Sequence, residues 1–262
     1  MRQMKSRWIV ALVIGWTMAV GLTASGTTPD LAGTWAMLQV YPRIAELPLV
    51  GEATQTSYVV QFVDLEQDEL TLRMKDRYCF TVIEESSPIS KTEIPDAFMA
   101  SLKPEPRAAM LRETNGVFAF EQPTYIEIRG ASLETPATDE LPTDPGDPRV
   151  IDQDADGFPG MTVNISLLGL MVEQIYVVQR VQYDLSGIVV SNDRIEGLIE
   201  WSDEQNVLDA TSSLLLAGAE SLQDPNPENH YFVMLRAGED WTCDWLRENW
   251  REAFDIDTGD EV

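Results

Sequence analysis

Leu70, Leu72 and Met74 alternate with Thr71, Arg73 and Lys75, which sorts apolar side chains to one face of the segment and polar ones to the other. A period of two is the mark of an extended strand with one buried face. The run before it, Thr56–Leu65, is β-branched and aromatic; Glu66–Asp68 reads as a turn, and Tyr78–Ile83 supplies a hairpin partner. Strand-like patterns recur at Thr34–Tyr41, Gly116–Phe120, Thr124–Arg129, Met161–Leu168, Ile175–Leu185, Gly187–Val190, Glu196–Trp201 and Tyr231–Leu235. Helical patterns occupy two short places. Ile94–Leu102 carries proline at a helix-start position. Asp240–Glu252 places Trp241, Trp245, Leu246 and Trp250 on one side behind an Asp240 cap. Between Leu133 and Pro148, the prolines 136, 142, 145 and 148 mark a long irregular loop. The reading is one all-β domain over residues 26–254, a barrel or sandwich, with two short helices, one of them C-terminal. Residues 255–262 form an acidic tail.

Residues 1–25 read as a signal peptide. Arg2, Lys5 and Arg7 precede an uncharged apolar stretch, Trp8–Leu22, and the small residues Thr23, Ala24, Ser25 and Gly26 follow. The stretch is shorter than the roughly 20 residues of a spanning helix. Cleavage is expected near Ala24 or Ser25, no membrane span is expected after signal removal, and the expected location is secreted or periplasmic.

Export changes the meaning of the two cysteines, Cys79 and Cys243. In an oxidising compartment a lone pair closes, so a Cys79–Cys243 disulfide is expected. Two cysteines and the single histidine, His230, do not make a zinc site.

The chain carries 44 acidic residues against 18 basic ones, for a formal net charge of −26. Such a surface repels nucleic acid, because each phosphate contact needs a cation. It is compatible with solubility in salt and with attraction for divalent cations.

The most specific motif is Asp152-Gln-Asp154-Ala-Asp156-Gly157-Phe-Pro159-Gly160. Alternate carboxylates converge on one point where the backbone turns tightly, and Gly157 permits the turn. Calcium, a hard ion, takes six to eight such oxygens. The motif is the D-x-D-x-D-G half of an EF-hand loop, but Val163 stands where the bidentate glutamate belongs. The expected metal ligands are Asp152, Asp154, Asp156 and Asp147, and the expected role is structural. The loop resembles the D-x-D-x-D-G-x-P-G loops of thrombospondin type-three repeats.

Catalytic motifs are scarce. His230 reads as a hydrogen-bonded surface histidine. The sequence after residue 25 has no G-x-S-x-G elbow, phosphate loop or dinucleotide fingerprint. Paired carboxylates, as in glycosidases, stay open among so many acids. The tryptophans at helical spacing read as helix-to-barrel packing.

Leu31-Ala-Gly33-Thr34-Trp35, opening the first strand, resembles the G-x-W opening of lipocalins. That resemblance implies an eight-stranded barrel around a small apolar ligand, a helix after the barrel, and a disulfide from the C-terminal segment to a barrel strand. The segments Ile94-Pro-Asp-Ala-Phe, Asp147-Pro-Arg-Val-Ile-Asp-Gln-Asp and Asp193-Arg-Ile-Glu-Gly-Leu resemble exported proteins of myxobacteria and relatives. This implies an envelope or secreted location and brings no activity with it.

The leading expectation is therefore an exported, calcium-stabilised, non-enzymatic barrel that binds a small apolar ligand or serves as an envelope component. The alternative is a secreted carbohydrate-active hydrolase with two carboxylates. An apolar cavity favours the first, and a groove with two carboxylates about 5–10 Å apart favours the second.

Overall fold

The computed structural model describes residues 27–47, 51–167, 169, 171–216 and 220–256. The expected signal peptide and residues 257–262 of the expected tail lie outside them. The elements are β1 (Gly33–Leu47), β2 (Gly51–Asp68), β3 (Thr71–Glu85), β4 (Ser90–Glu93), α1 (Asp96–Ser101), β5 (Arg107–Thr114), β6 (Val117–Arg129), β7 (Met161–Leu167), β8 (Met171–Ser191), β9 (Arg194–Ala210), β10 (Glu220–Gln223), β11 (Tyr231–Arg236) and α2 (Cys243–Ala253).

Eight of the strands form a closed ring in the order β1-β2-β3-β5-β6-β8-β9-β11, and β11 returns to β1. Every pairing in the ring is antiparallel. The sheet is a barrel and not a sandwich, and closure removes the unpaired edges that an open sheet must protect. β4, β7 and β10 extend the ring. β7 continues the lane of β6, since β8 pairs with β6 through Arg129↔Gln179 and with β7 from Met161↔Val177. Residues 130–160 are thus an insertion into one continuous lane. Gly130 and Gly160 form its neck, where a side chain on either would collide with the Val177 carbonyl.

Pro42 shows how the sequence tolerates a proline inside a long strand. β1 pairs with β11 over Trp35–Val40 and with β10 over Arg43–Glu46. Pro42 falls between the two partners, where its missing N–H breaks no ladder bond.

The interior is built by alternation. Trp35, Met37, Val63, Leu72, Met74, Phe120, Leu185, Phe232 and Met234 pack into the end of the barrel that begins at Gly33. A second apolar cluster lies outside the wall, where Leu246, Trp250 and Phe254 meet Ala36, Leu38, Val60, Phe62 and Phe80. A bulge in β3 makes this possible: Val60 opposes Phe80 and Gln61 opposes Tyr78, so Cys79 is the extra residue. Cys79 and Phe80 both belong to the outer cluster, and Cys79 is bonded to Cys243 at the first position of α2.

Several element bounds differ from the sequence reading. Glu66–Asp68 belongs to β2, and the turn falls at Glu69–Leu70. Thr242, not Asp240, caps α2, by accepting from the Trp245 N–H. β5 has no strand signature in the sequence, because Arg107-Ala-Ala-Met-Leu-Arg-Glu-Thr114 is poor in β-branched and aromatic residues.

Candidate functional site

The other half of the barrel holds a cavity of about 300 Å³. Its wall is partly apolar, from Val59, Ile83, Met161, Val163, Ile175 and Val181. The polar side chains form two linked groups in series along the lumen. Asp76 lies on β3 between Met74 of the apolar core and Tyr78 of the cavity, and it makes a buried ion pair with Arg107. Arg107 also donates to Gln122 Oε1 at 2.8 Å and lies over the rings of Tyr125 and Tyr183. One step further along the lumen, Glu127 accepts from Tyr78 Oη at 2.9 Å and from Arg129 Nε at 2.6 Å. Arg129 reaches Gln179 Oε1 at 3.2 Å, Gln179 reaches Asp203 Oδ2 at 3.0 Å, and Arg43 reaches the same oxygen at 3.3 Å.

Each of these acids faces a cation, so the lumen is balanced in charge although the protein is strongly acidic. Burial pushes the Tyr41 and Tyr78 hydroxyls well up from their ordinary range, with neighbouring acidic groups adding to the effect, and it raises Tyr183 against the opposing Arg107 charge; all three stay protonated donors. Three buried polar atoms of the cavity wall have no partner among the described residues: Gln39 Nε2, Arg43 Nε and the Tyr183 hydroxyl. The polar lining residues carry no motif that marks them in the sequence as a site. The signal was present as amides and charges at inward positions, such as Gln39 between Met37 and Tyr41.

His230 is buried, contrary to its reading as a surface residue. Its Nδ1 accepts from Trp201 Nε1 at 2.7 Å, and its Nε2 lies 2.8 Å from the Asp224 carbonyl. Nδ1 is thus the acceptor of the ring and Nε2 the nitrogen turned to a carbonyl acceptor. The ring anchors Trp201, a cavity-wall residue that packs edge-on against Tyr41 and under the Arg43 guanidinium.

The acidic loop sits on the outside of the same wall. Asp152, Asp154 and Asp156 bring one carboxylate oxygen each to within 4.8 Å of one another, and this group could hold a metal ion. Asp152 accepts from the Asp156 and Gly157 N–H groups at 3.1 and 3.0 Å, and Gly157 takes a φ of 92°. Asp156 accepts from the Phe158 N–H at 2.9 Å and from the Thr162 hydroxyl at 2.5 Å. Asp154 Oδ1 is buried without a partner. Desolvation, with the Asp156 charge next, holds the Asp154 carboxyl above its ordinary value. Asp147 stands apart from the group. Its two oxygens face Arg149, at 3.0 Å from Nε and 2.7 Å from Nη2, and this pairing holds its carboxyl down at about 2. The fourth expected ligand is thus committed to an arginine.

Thr162 ties this loop to the cavity. It lies on β7 between Met161 and Val163, both of which line the lumen. Phe158 stacks on Tyr176 with ring centres 4.5 Å apart. Further back, Leu141 and Ala131 pack on Val178 and Leu208. Asn206 Nδ2 donates to the Leu141 and Pro142 carbonyls at 3.2 and 3.1 Å. The insertion is a brace across β7, β8 and β9.

No helix among the described residues is long and apolar enough to cross a membrane. Comparison with protein-family models, with curated proteins and with solved structures finds no significant match to this chain.

Proposed function

We propose that this protein is an exported, non-enzymatic barrel on a lipocalin-like plan, that it holds a small apolar ligand in its lumen, and that its acidic loop binds a structural calcium ion. The observation that carries the ligand reading is the cavity of about 300 Å³ inside a closed ring of strands. This volume is at the small end of the range for ligand pockets. Its apolar wall favours a ligand body without charge. The carboxylates that reach the lumen, Glu127 and Asp203, are each tied to an arginine. That is the arrangement of a structural ion pair more than of a proton donor, and it supports the non-enzymatic reading over the paired-carboxylate hydrolase.

The lipocalin-like plan draws support from Trp35, from α2 on the outer wall, and from the Cys79–Cys243 bond. Export draws support from the same bond, since an intact disulfide suits an oxidising compartment. For the metal, the support is chemical. Three carboxylates held together repel one another unless a cation joins them. All-oxygen donors suit calcium, and the remaining positions fall to backbone carbonyls or water.

Thermal melting in calcium and in chelator tests the metal reading. Calcium raises the melting temperature, and Asp154→Ala abolishes the rise. Identical melting in both solutions overturns it. Native mass spectrometry of the purified protein tests the ligand reading, which requires a small molecule to travel with the chain or to be taken up by it.

A further inference from the structure

The polar end of the cavity carries information about the ligand that its apolar wall does not. Gln39 is 1% exposed, and its amide nitrogen has no acceptor among the described residues; the Tyr183 hydroxyl is equally without a partner. The two side chains are neighbours, one projecting from β1 and one from β8, at the level where the polar groups meet the open lumen. Buried donors normally have acceptors, and leaving one unmatched is costly. The Gln39 amide lies close enough to act as a donor toward the Tyr183 oxygen, which leaves the tyrosine O–H and the second amide hydrogen directed at no protein acceptor.

The charge balance at this level is equally informative. Arg43 is held by Asp203, Arg129 by Glu127, and Arg107 by Asp76. Each of these arginines is matched in charge by one acid, so although the Arg43 Nε–H lacks a partner, no net positive charge is left to neutralise an incoming anion. A chain with a net charge of −26 adds a repulsive field for any anionic ligand approaching from solvent. A charged head group would therefore lose its hydration and meet no unpaired cation.

We infer that the cavity selects a neutral amphiphile, with an uncharged carbonyl or ester oxygen accepting from Gln39 and Tyr183 and an apolar tail lying against Val59, Met161, Val163 and Val181. This rests on the reading of the cavity as a ligand site. It goes further by fixing the polarity, the charge and the direction of the bound molecule: head inward at the polar groups, tail along the apolar wall.

A matched series of methyl decanoate, decanoate and decane separates the claims, with binding followed by titration calorimetry. The tail is common to all three, and only the ester is both neutral and an acceptor. Methyl decanoate binds the wild-type protein about tenfold or more tighter than either of the others, the worth of one to two hydrogen bonds. Tyr183→Phe removes the hydroxyl at nearly constant shape; it weakens the ester by about three- to tenfold and leaves decane unchanged. Val163→Trp, which fills the lumen, abolishes binding of all three. Decane binding as tightly as the ester, or decanoate binding more tightly, overturns the head-group inference and leaves the ligand site standing. Absence of binding by the whole series, or binding that survives Val163→Trp, overturns the cavity reading itself. Should Tyr183→Phe fail to fold, the ester, acid and alkane comparison on the wild-type protein decides alone.

Discussion

Trp201 donates its indole N–H to Nδ1 of His230 at 2.7 Å, across 29 positions of sequence, and His230 thereby braces a side chain of the cavity wall from behind. The other ring nitrogen is turned to the Asp224 carbonyl, so the only histidine of the chain is used on both sides. Replacing it with alanine leaves a buried indole N–H unmatched and opens a void beside it. His230→Ala is expected to cost about 2–4 kcal/mol of stability. Chemical denaturation followed by circular dichroism measures it, and a cost below about 0.5 kcal/mol would show that the pair is incidental.

Asp76 and Arg107 form the most deeply buried ion pair among the described residues, with side chains 1% and 5% exposed. Removing one partner strands a charge in the lumen. Asp76→Ala should destabilise by about 3–5 kcal/mol, whereas replacing both residues with apolar ones of similar size should recover much of that loss. The double-mutant cycle reads the difference directly.

The sequence made the barrel class legible because strands such as Leu70–Lys75 expose their alternation locally. It made the disulfide legible because two cysteines leave one pairing once export is expected, and the acidic loop because its three carboxylates lie within five positions of one another. The rest depends on distant partners. The second half of β9, Ser202–Ala210, is polar and shows no strand pattern, yet it pairs with β8 along its length apart from a bulge at Leu208. β8 looks broken at Gly187, yet Gly187 faces Gly197 across the ladder, where a side chain on either would strike the partner backbone. His230 reads as exposed because its two partners are a carbonyl and an indole elsewhere in the fold. The cavity was illegible for the same reason: Gln39 and Tyr183 belong to strands that the sequence places far apart and the closed ring brings face to face.

Buried tyrosines make the protein sensitive to alkali. Desolvation holds Tyr41 and Tyr78 well above the ordinary value of about 10, and Tyr58 and Tyr125 are pushed up to about 12. A raised native value means that the unfolded chain loses these protons first as pH rises. Stability is therefore complete below about pH 10 and declines above it. Absorbance at the tyrosinate band should stay low in the folded protein past pH 10, then rise together with loss of the folded circular dichroism signal. Early ionisation without unfolding would contradict the burial of these rings.

The Cys79–Cys243 bond ties α2 to the β3 bulge over a sequence separation of 164. Closing so long a loop restricts the unfolded chain and contributes up to about 5 kcal/mol in the chain-entropy picture. Reduction, or Cys243→Ser, should lower the denaturation midpoint markedly. The apolar seat of Leu246 and Trp250 should keep the helix docked at low denaturant, as near-ultraviolet circular dichroism would show.

The proposal that the barrel lumen is a ligand site is open to a fluorescence titration with 1-aminoanthracene, a small apolar probe that brightens when it leaves water. Saturable binding of one probe per chain is expected, displaced by methyl decanoate and abolished in Val163→Trp, a variant that keeps the wild-type circular dichroism spectrum. A folded wild-type protein that takes up no probe, or a probe signal unchanged in Val163→Trp, would contradict it.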